Sequence, residues 1–259
     1  MSALSTTTDE RVAAPVSRQR FGTLVHVELR KQTDTRSGRG VLALILFACL
    51  GALVWGVTHA DIPATFHKYS EPVATTVAFL APVIAILAMT SEWTQRTALT
   101  TFTLSPRRLR VIAAKFTAAI ALSCAVMVVV LVLTGGAAAL GGLVHGHGHN
   151  PRVVDMGVEI RSYFIVMVLQ VIMATAFGAL AGQTAVALGA YFVAPTVWGA
   201  VGDQIFGGAA KWFDIFSAYG QLSSDRPFDL LGPTLTSVGV WVVLPVTLGI
   251  IRCVRREVK

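Results

Sequence analysis

The sequence predicts an all-α membrane protein whose six transmembrane helices form one domain. Three observations carry this. Apolar residues make up 54% of the 259 residues and charged residues only 14%, where a soluble domain carries about a quarter charged. The apolar residues gather into six stretches close to the roughly twenty residues that a helix needs to cross a bilayer. The basic residues collect between those stretches on one alternating side.

The first span is expected at about Val41 to Val57 and the second at about Val73 to Thr90, with Pro82 as a kink. The third, about Val111 to Val144, carries Gly135, Gly136, Gly141 and Gly142 near its end. The fourth runs from about Tyr163 to Ala181 and the fifth from about Thr184 to Val201, with Pro195 inside it. The sixth covers about Leu235 to Ile251 around Pro245. Proline inside a span is tolerated because neighbouring groups satisfy the freed backbone. Only Gly182 and Gln183 separate spans four and five, so these should form a tight hairpin. Gly178, Ala181, Ala185 and Gly189 are expected to let those two backbones approach.

Lysine and arginine fix the expected orientation. Seven precede span one: Arg11, Arg18, Arg20, Arg30, Lys31, Arg36 and Arg39. Five lie between spans two and three: Arg96, Arg107, Arg108, Arg110 and Lys115. Four end the chain: Arg252, Arg255, Arg256 and Lys259. These sixteen oppose five on the other side, namely Lys68, Arg152, Arg161, Lys211 and Arg226. Positive charge stays in the cytoplasm, so both termini are expected there, in a multi-pass protein of the cell membrane. The same placement explains the net charge of +7 without nucleic acid, because no interleaved aromatic and basic face accompanies it.

Residues 1–17 are polar and expected to be a disordered cytoplasmic tail, with no apolar run that would make a cleavable signal peptide. The single membrane domain is expected over 18–259, ending in a cytoplasmic tail from 252 to 259. Between about 18 and 39, Phe21, Leu24, Val25 and Leu29 recur at helical spacing, with Glu28, Arg30, Lys31 and Arg36 toward the other face. That pattern predicts an amphipathic helix in the membrane interface. On the opposite side, Lys211 to Tyr219 is aromatic and amphipathic, which suits a short interfacial helix before span six. Cys49, Cys124 and Cys253 sit in or beside apolar stretches and read as free thiols. His145, His147 and His149 alternate with glycine, a spacing that imidazole–metal binding tolerates but that glycine leaves unorganised, so a solvated loop is the better reading.

The loop from Ser91 to Lys115 opens with Glu92 at the membrane edge. It continues through Leu99, Phe102 and Leu104, breaks at Pro106 and resumes with Arg107 and Arg108. A short exposed helix of mixed charge suits a groove on a soluble partner. Glu92, Thr97, Leu104, Pro106, Arg107, Arg108, Ala114 and Lys115 follow a local pattern of the permease subunits of ABC-2 type exporters, and the architecture of nearly the whole chain resembles that family. Arg96 departs from the pattern, standing where glycine is usual.

The resemblance implies an amphipathic elbow helix before span one, which here would include Phe21, Leu24 and Leu29. It implies short re-entrant helices before span six and a coupling helix between spans two and three. Glu92, Arg96, Thr97, Leu99, Phe102, Arg107 and Arg108 are then the expected docking residues for a cytoplasmic ATPase subunit. It also implies that two permeases pair, as identical or related copies, and that ATP and magnesium belong to the ATPase. No cofactor and no catalytic residue is expected in this chain, which lacks a phosphate-binding Gly-x-x-x-x-Gly-Lys-Ser/Thr loop. The absence of charge at the centre of any span argues against proton or sodium coupling and favours a hydrophobic or amphiphilic cargo such as a drug, lipid or small peptide. An intramembrane enzyme or a non-transporting membrane scaffold remains the alternative.

Overall fold

The computed structural model describes residues 20–59, 66–94, 108–145, 153–224, 226–227 and 229–255. The described residues are helical almost throughout, with no strand among them. They form α1 (Phe21–Asp34), α2 (Arg36–Thr58), α3 (Phe66–Thr94), α4 (Arg108–His145), α5 (Val153–Ala181) and α6 (Thr184–Phe206). A 3₁₀ turn (Gly207–Trp212), α7 (Ile215–Ser223), α8 (Leu231–Val238), a π turn (Gly239–Val243) and α9 (Leu244–Arg255) complete the chain. Six segments are long and apolar enough to cross a membrane: α2, α3, α4, α5, α6 with the 3₁₀ turn, and α8 through α9.

Several helices outrun their apolar stretches. α3 begins at Phe66, seven residues before the expected span, so His67, Lys68 and Glu71 are helical rather than loop residues. α5 likewise begins at Val153, which brings Glu159 and Arg161 into the helix. Hydropathy falls where a helix leaves the hydrocarbon, but its backbone hydrogen bonds continue. Pro72 and Pro82 both lie within the uninterrupted α3. In the last span the π turn ends two residues before Pro245, whose missing N–H removes a bond to the preceding turn.

α3 is the most enclosed span, packed among α2, α4 and α5. Val73, Val77, Ala81, Ala85 and Ile86 fill the core from α3, meeting Ile45 and Cys49 of α2, Met127 and Val130 of α4, and Met167 and Val171 of α5. Large apolar side chains face outward instead on α2 (Phe47, Trp55), α4 (Val132, Leu140) and α6 (Val193, Ile205), as lipid contact requires.

The close approaches run differently from the expected hairpin. Gly182 turns the α5–α6 connection at φ 65°. Yet a Cβ on Gly178 would meet Met89 Cβ of α3 at 3.0 Å, and one on Gly189 would meet nothing within 4 Å. Gly178 therefore serves the α3–α5 contact. α9 joins the same bundle through Gly249, where a Cβ would lie 2.9 Å from Ala179 Cβ of α5. The stretch from Lys211 to Tyr219 is not one helix. It divides at Asp214, whose carboxylate caps α7 by accepting from the N–H groups of Phe216 and Ser217. α7 and its neighbours are pinned across the bundle end: Trp241 Nε1 donates to the Phe213 carbonyl at 2.6 Å, and Ser162 Oγ to that of Ser223 at 3.2 Å.

Candidate functional site

At the end of the bundle where α1 begins and α9 ends, four charged side chains from three helices meet. Lys115 of α4 is 3% exposed, Glu28 of α1 4% and Glu92 of α3 5%. Lys115 Nζ lies 2.9 Å from Glu28 Oε2 and 3.1 Å from Glu92 Oε1, and also donates to the Ala88 carbonyl at 3.3 Å. Lys31 of α1 closes the group from the outside, 2.7 Å from Glu28 Oε1 and 3.1 Å from Glu92 Oε1. Two ammonium and two carboxylate groups balance, and balance is the condition for burying charge at all. Burial alone would pull the Lys31 ammonium toward neutrality; the Glu28 and Glu92 carboxylates outweigh it and raise its pKa above the ordinary lysine value. Lys31 therefore stays charged at physiological pH.

The local sequence builds this group. Glu28 and Gln32 are one turn apart and share the face that α1 presses against the bundle. Thr35 ends α1 and caps α2, its hydroxyl accepting from the Gly38 N–H at 3.2 Å. Gly38 lies so close to the Gln32 carbonyl that a Cβ there would collide with it. The α1–α2 corner is thus fixed by a cap and a glycine, and it holds Glu28 over Lys115. Beside the ion group lies a cavity of about 540 Å³, lined by Lys31, Gln32, Ser37, Ser91, Thr94 and Thr184 among others. The buried Gln32 amide contributes to its wall, and among the described residues neither its nitrogen nor its oxygen has a hydrogen-bond partner.

This geometry bears on three expectations. Glu28 does not face away from the bundle with Arg30; it is buried, while Phe21 is exposed and Leu24 and Leu29 are half-buried. Arg36 does not belong to that helix but opens α2. Glu92 is not a free surface charge: its carboxylate is committed to Lys31 and Lys115. Arg108 opens α4, apart from that cluster, with Nη1 donating to the Val254 carbonyl of α9 at 3.1 Å. Arg96, Thr97, Leu99, Phe102 and Arg107 lie outside the described residues, as do His147 and His149. Lys115, Glu28 and Gln32 escaped the sequence reading as a site. The usable signal was spacing: Glu28 and Gln32 fall on the helical repeat of Phe21, Leu24 and Val25, where apolar residues were due.

A second concavity lies toward the other bundle end, between α3, α5, α6 and α7, with a volume of about 650 Å³. Its walls are Phe79, Met173, Tyr191, Phe192, Phe216 and Tyr219, and His67, Glu71 and Glu159 stand at its polar edge. Phe79 and Phe192 rings pack 4.8 Å apart, as do Tyr191 and Phe192.

No family model and no curated protein matches the chain. Its chemistry must be read from these two places. Among the described residues no group of three or more histidines, cysteines or carboxylates gathers to hold a metal. The ion group ties α1, the end of α3 and the start of α4 together.

Proposed function

We propose that the chain is the membrane-spanning permease subunit of an ATP-driven exporter of the ABC-2 type, carrying a hydrophobic or amphiphilic cargo across the cell membrane. A separate cytoplasmic ATPase would dock on residues 95–107, and a second permease would complete the pore. One observation carries the reading. The two helices that flank residues 95–107 are braced to each other and to α1 through the buried Glu28–Lys31–Glu92–Lys115 group. A push on that loop is then passed to α3 and α4 as a rigid unit, and α3 is the enclosed centre of the bundle. Glu92 serves the lever in this reading, and Arg107 with the apolar Leu99 and Phe102 serves the grip. The six apolar helices and the basic flanks support the same reading.

The test is the chain purified from its native membrane in mild detergent together with whatever it holds. The expected complex hydrolyses Mg-ATP and is inhibited by vanadate. Arg107→Glu with Arg108→Glu should strip the hydrolysing subunit away while leaving the chain folded. A folded chain that moves cargo without ATP, or that carries no ATPase from its own membrane, would refute the proposal.

A further inference from the structure

We propose that the 650 Å³ cavity between α3, α5, α6 and α7 is a binding site for a lipophilic cation, with its apolar body among the aromatic walls and its charge at Glu159 and Glu71. The cavity is graded. Its deep wall is apolar and aromatic: Met173 is 2% exposed, Tyr191 7% and Tyr219 8%. Its edge carries a connected acidic group. His67 Nδ1 lies 3.0 Å from Glu159 Oε1, and its Nε2 lies 3.5 Å from Glu71 Oε2. Ser70 Oγ donates to Glu159 Oε2 at 3.4 Å and shares a hydrogen bond of 3.1 Å with the Tyr163 hydroxyl.

Among the described residues no lysine or arginine lines the cavity. Arg161, two residues from Glu159, directs its guanidinium to the Ser224 carbonyl of the α7 end at 3.2 Å. Lys68 is exposed and also absent from the lining. An anion entering this space would meet uncompensated like charge. A neutral hydrophobe would fill the aromatic wall and leave the acids unused. A cation with an apolar body satisfies both, and the aromatic faces add attraction of their own. Of the two carboxylates Glu159 is the stronger anchor, because its side chain is 25% exposed against 65% for Glu71, and a less hydrated charge acts through a lower dielectric.

Binding needs neither ATP nor a partner, so the site stands independently of the export reading. In that reading the cavity lies on the release side of the bundle.

Tetraphenylphosphonium and tetraphenylborate test the site, since they share shape and differ in sign. The full chain is placed in nanodiscs of zwitterionic phosphatidylcholine, and binding of each labelled ion is measured by equilibrium dialysis after subtracting empty discs. The phosphonium should bind saturably and the borate should not. Glu71→Gln with Glu159→Gln should weaken the phosphonium about tenfold, while Glu159→Asp keeps most of it. Equal saturable binding of both ions, no saturable binding of either, or an unchanged affinity in the doubly neutralised variant would overturn the site. The wild-type comparison of the two ions stands even if a variant fails to fold. Saturable phosphonium binding by a chain that never exports would defeat the export reading and leave the site intact.

Discussion

Lys115 is the residue on which the end of the bundle turns. It is buried near the start of α4 with two carboxylates and a backbone carbonyl around its ammonium group. Removing one member of a buried pair leaves charge without compensation and costs about 3–5 kcal/mol. Lys115→Met should therefore lower the unfolding free energy in nanodiscs by that order. Glu28→Gln combined with Lys115→Met should cost less than the two single losses added, because the double variant no longer strands a carboxylate. Lys31→Met should cost less than Lys115→Met, since Lys31 is 41% exposed and water screens its pairs. The raised pKa of Lys31 sets the sign of its pH dependence. Its contribution is present while it is protonated and fades only as pH climbs through the raised value, so it stays constant across the physiological range. Composition displayed Glu92 and Lys115 as charges at membrane edges. It did not display their pairing, because Glu28 and Lys115 are 87 positions apart and only the fold brings them together.

Among the helices, glycines divide into those that permit an approach and those that permit nothing. A methyl group on Gly38 would collide with the Gln32 carbonyl at the α1–α2 corner. One on Gly249 would sit 2.9 Å from Ala179 Cβ and 3.1 Å from the Ala176 carbonyl oxygen, where α9 lies on α5. Backbone cannot yield as a side-chain tip can, so Gly38→Ala and Gly249→Ala should each destabilise by about 1–3 kcal/mol. Gly135 on α4 has open space at the same point, and alanine there should be neutral or stabilising by up to about 1 kcal/mol through helix propensity. Thermal unfolding of the three variants side by side checks the ranking. A uniform loss would mean the helices do not pack as described. Sequence alone marks all these positions identically, since what distinguishes Gly178, which meets Met89, from Gly189, which meets nothing, is the neighbour.

At the scale of the molecule, the number of spans was legible because each apolar run is long and separated from the next by charge or by a glycine turn such as Gly182. The helix starts at Phe66 and Val153 were not legible, because His67, Lys68, Glu159 and Arg161 remain helical after hydropathy has fallen. The aromatic cavity was hidden because its walls come from four helices that only the fold brings together. Sidedness is the remaining global property, and it has a direct test. α1 is ion-paired to the end of α3 and the start of α4, and Arg108 at that start bonds the Val254 carbonyl near the chain's far end. Both ends of the described residues, at Arg20 and Arg255, therefore share one face of the bundle, while the 3₁₀ turn with Lys211 lies at the other. Sixteen basic residues against five predict that the shared face is the cytoplasmic one. In a background of Cys49→Ala, Cys124→Ala and Cys253→Ala, a membrane-impermeant maleimide applied to intact cells should label Lys211→Cys. It should label Arg20→Cys only after permeabilisation. Both positions are exposed in the fold, so burial cannot mimic protection. Labelling in the reverse order would invert the protein, put residues 95–107 outside, and remove the cytoplasmic ATPase from the account.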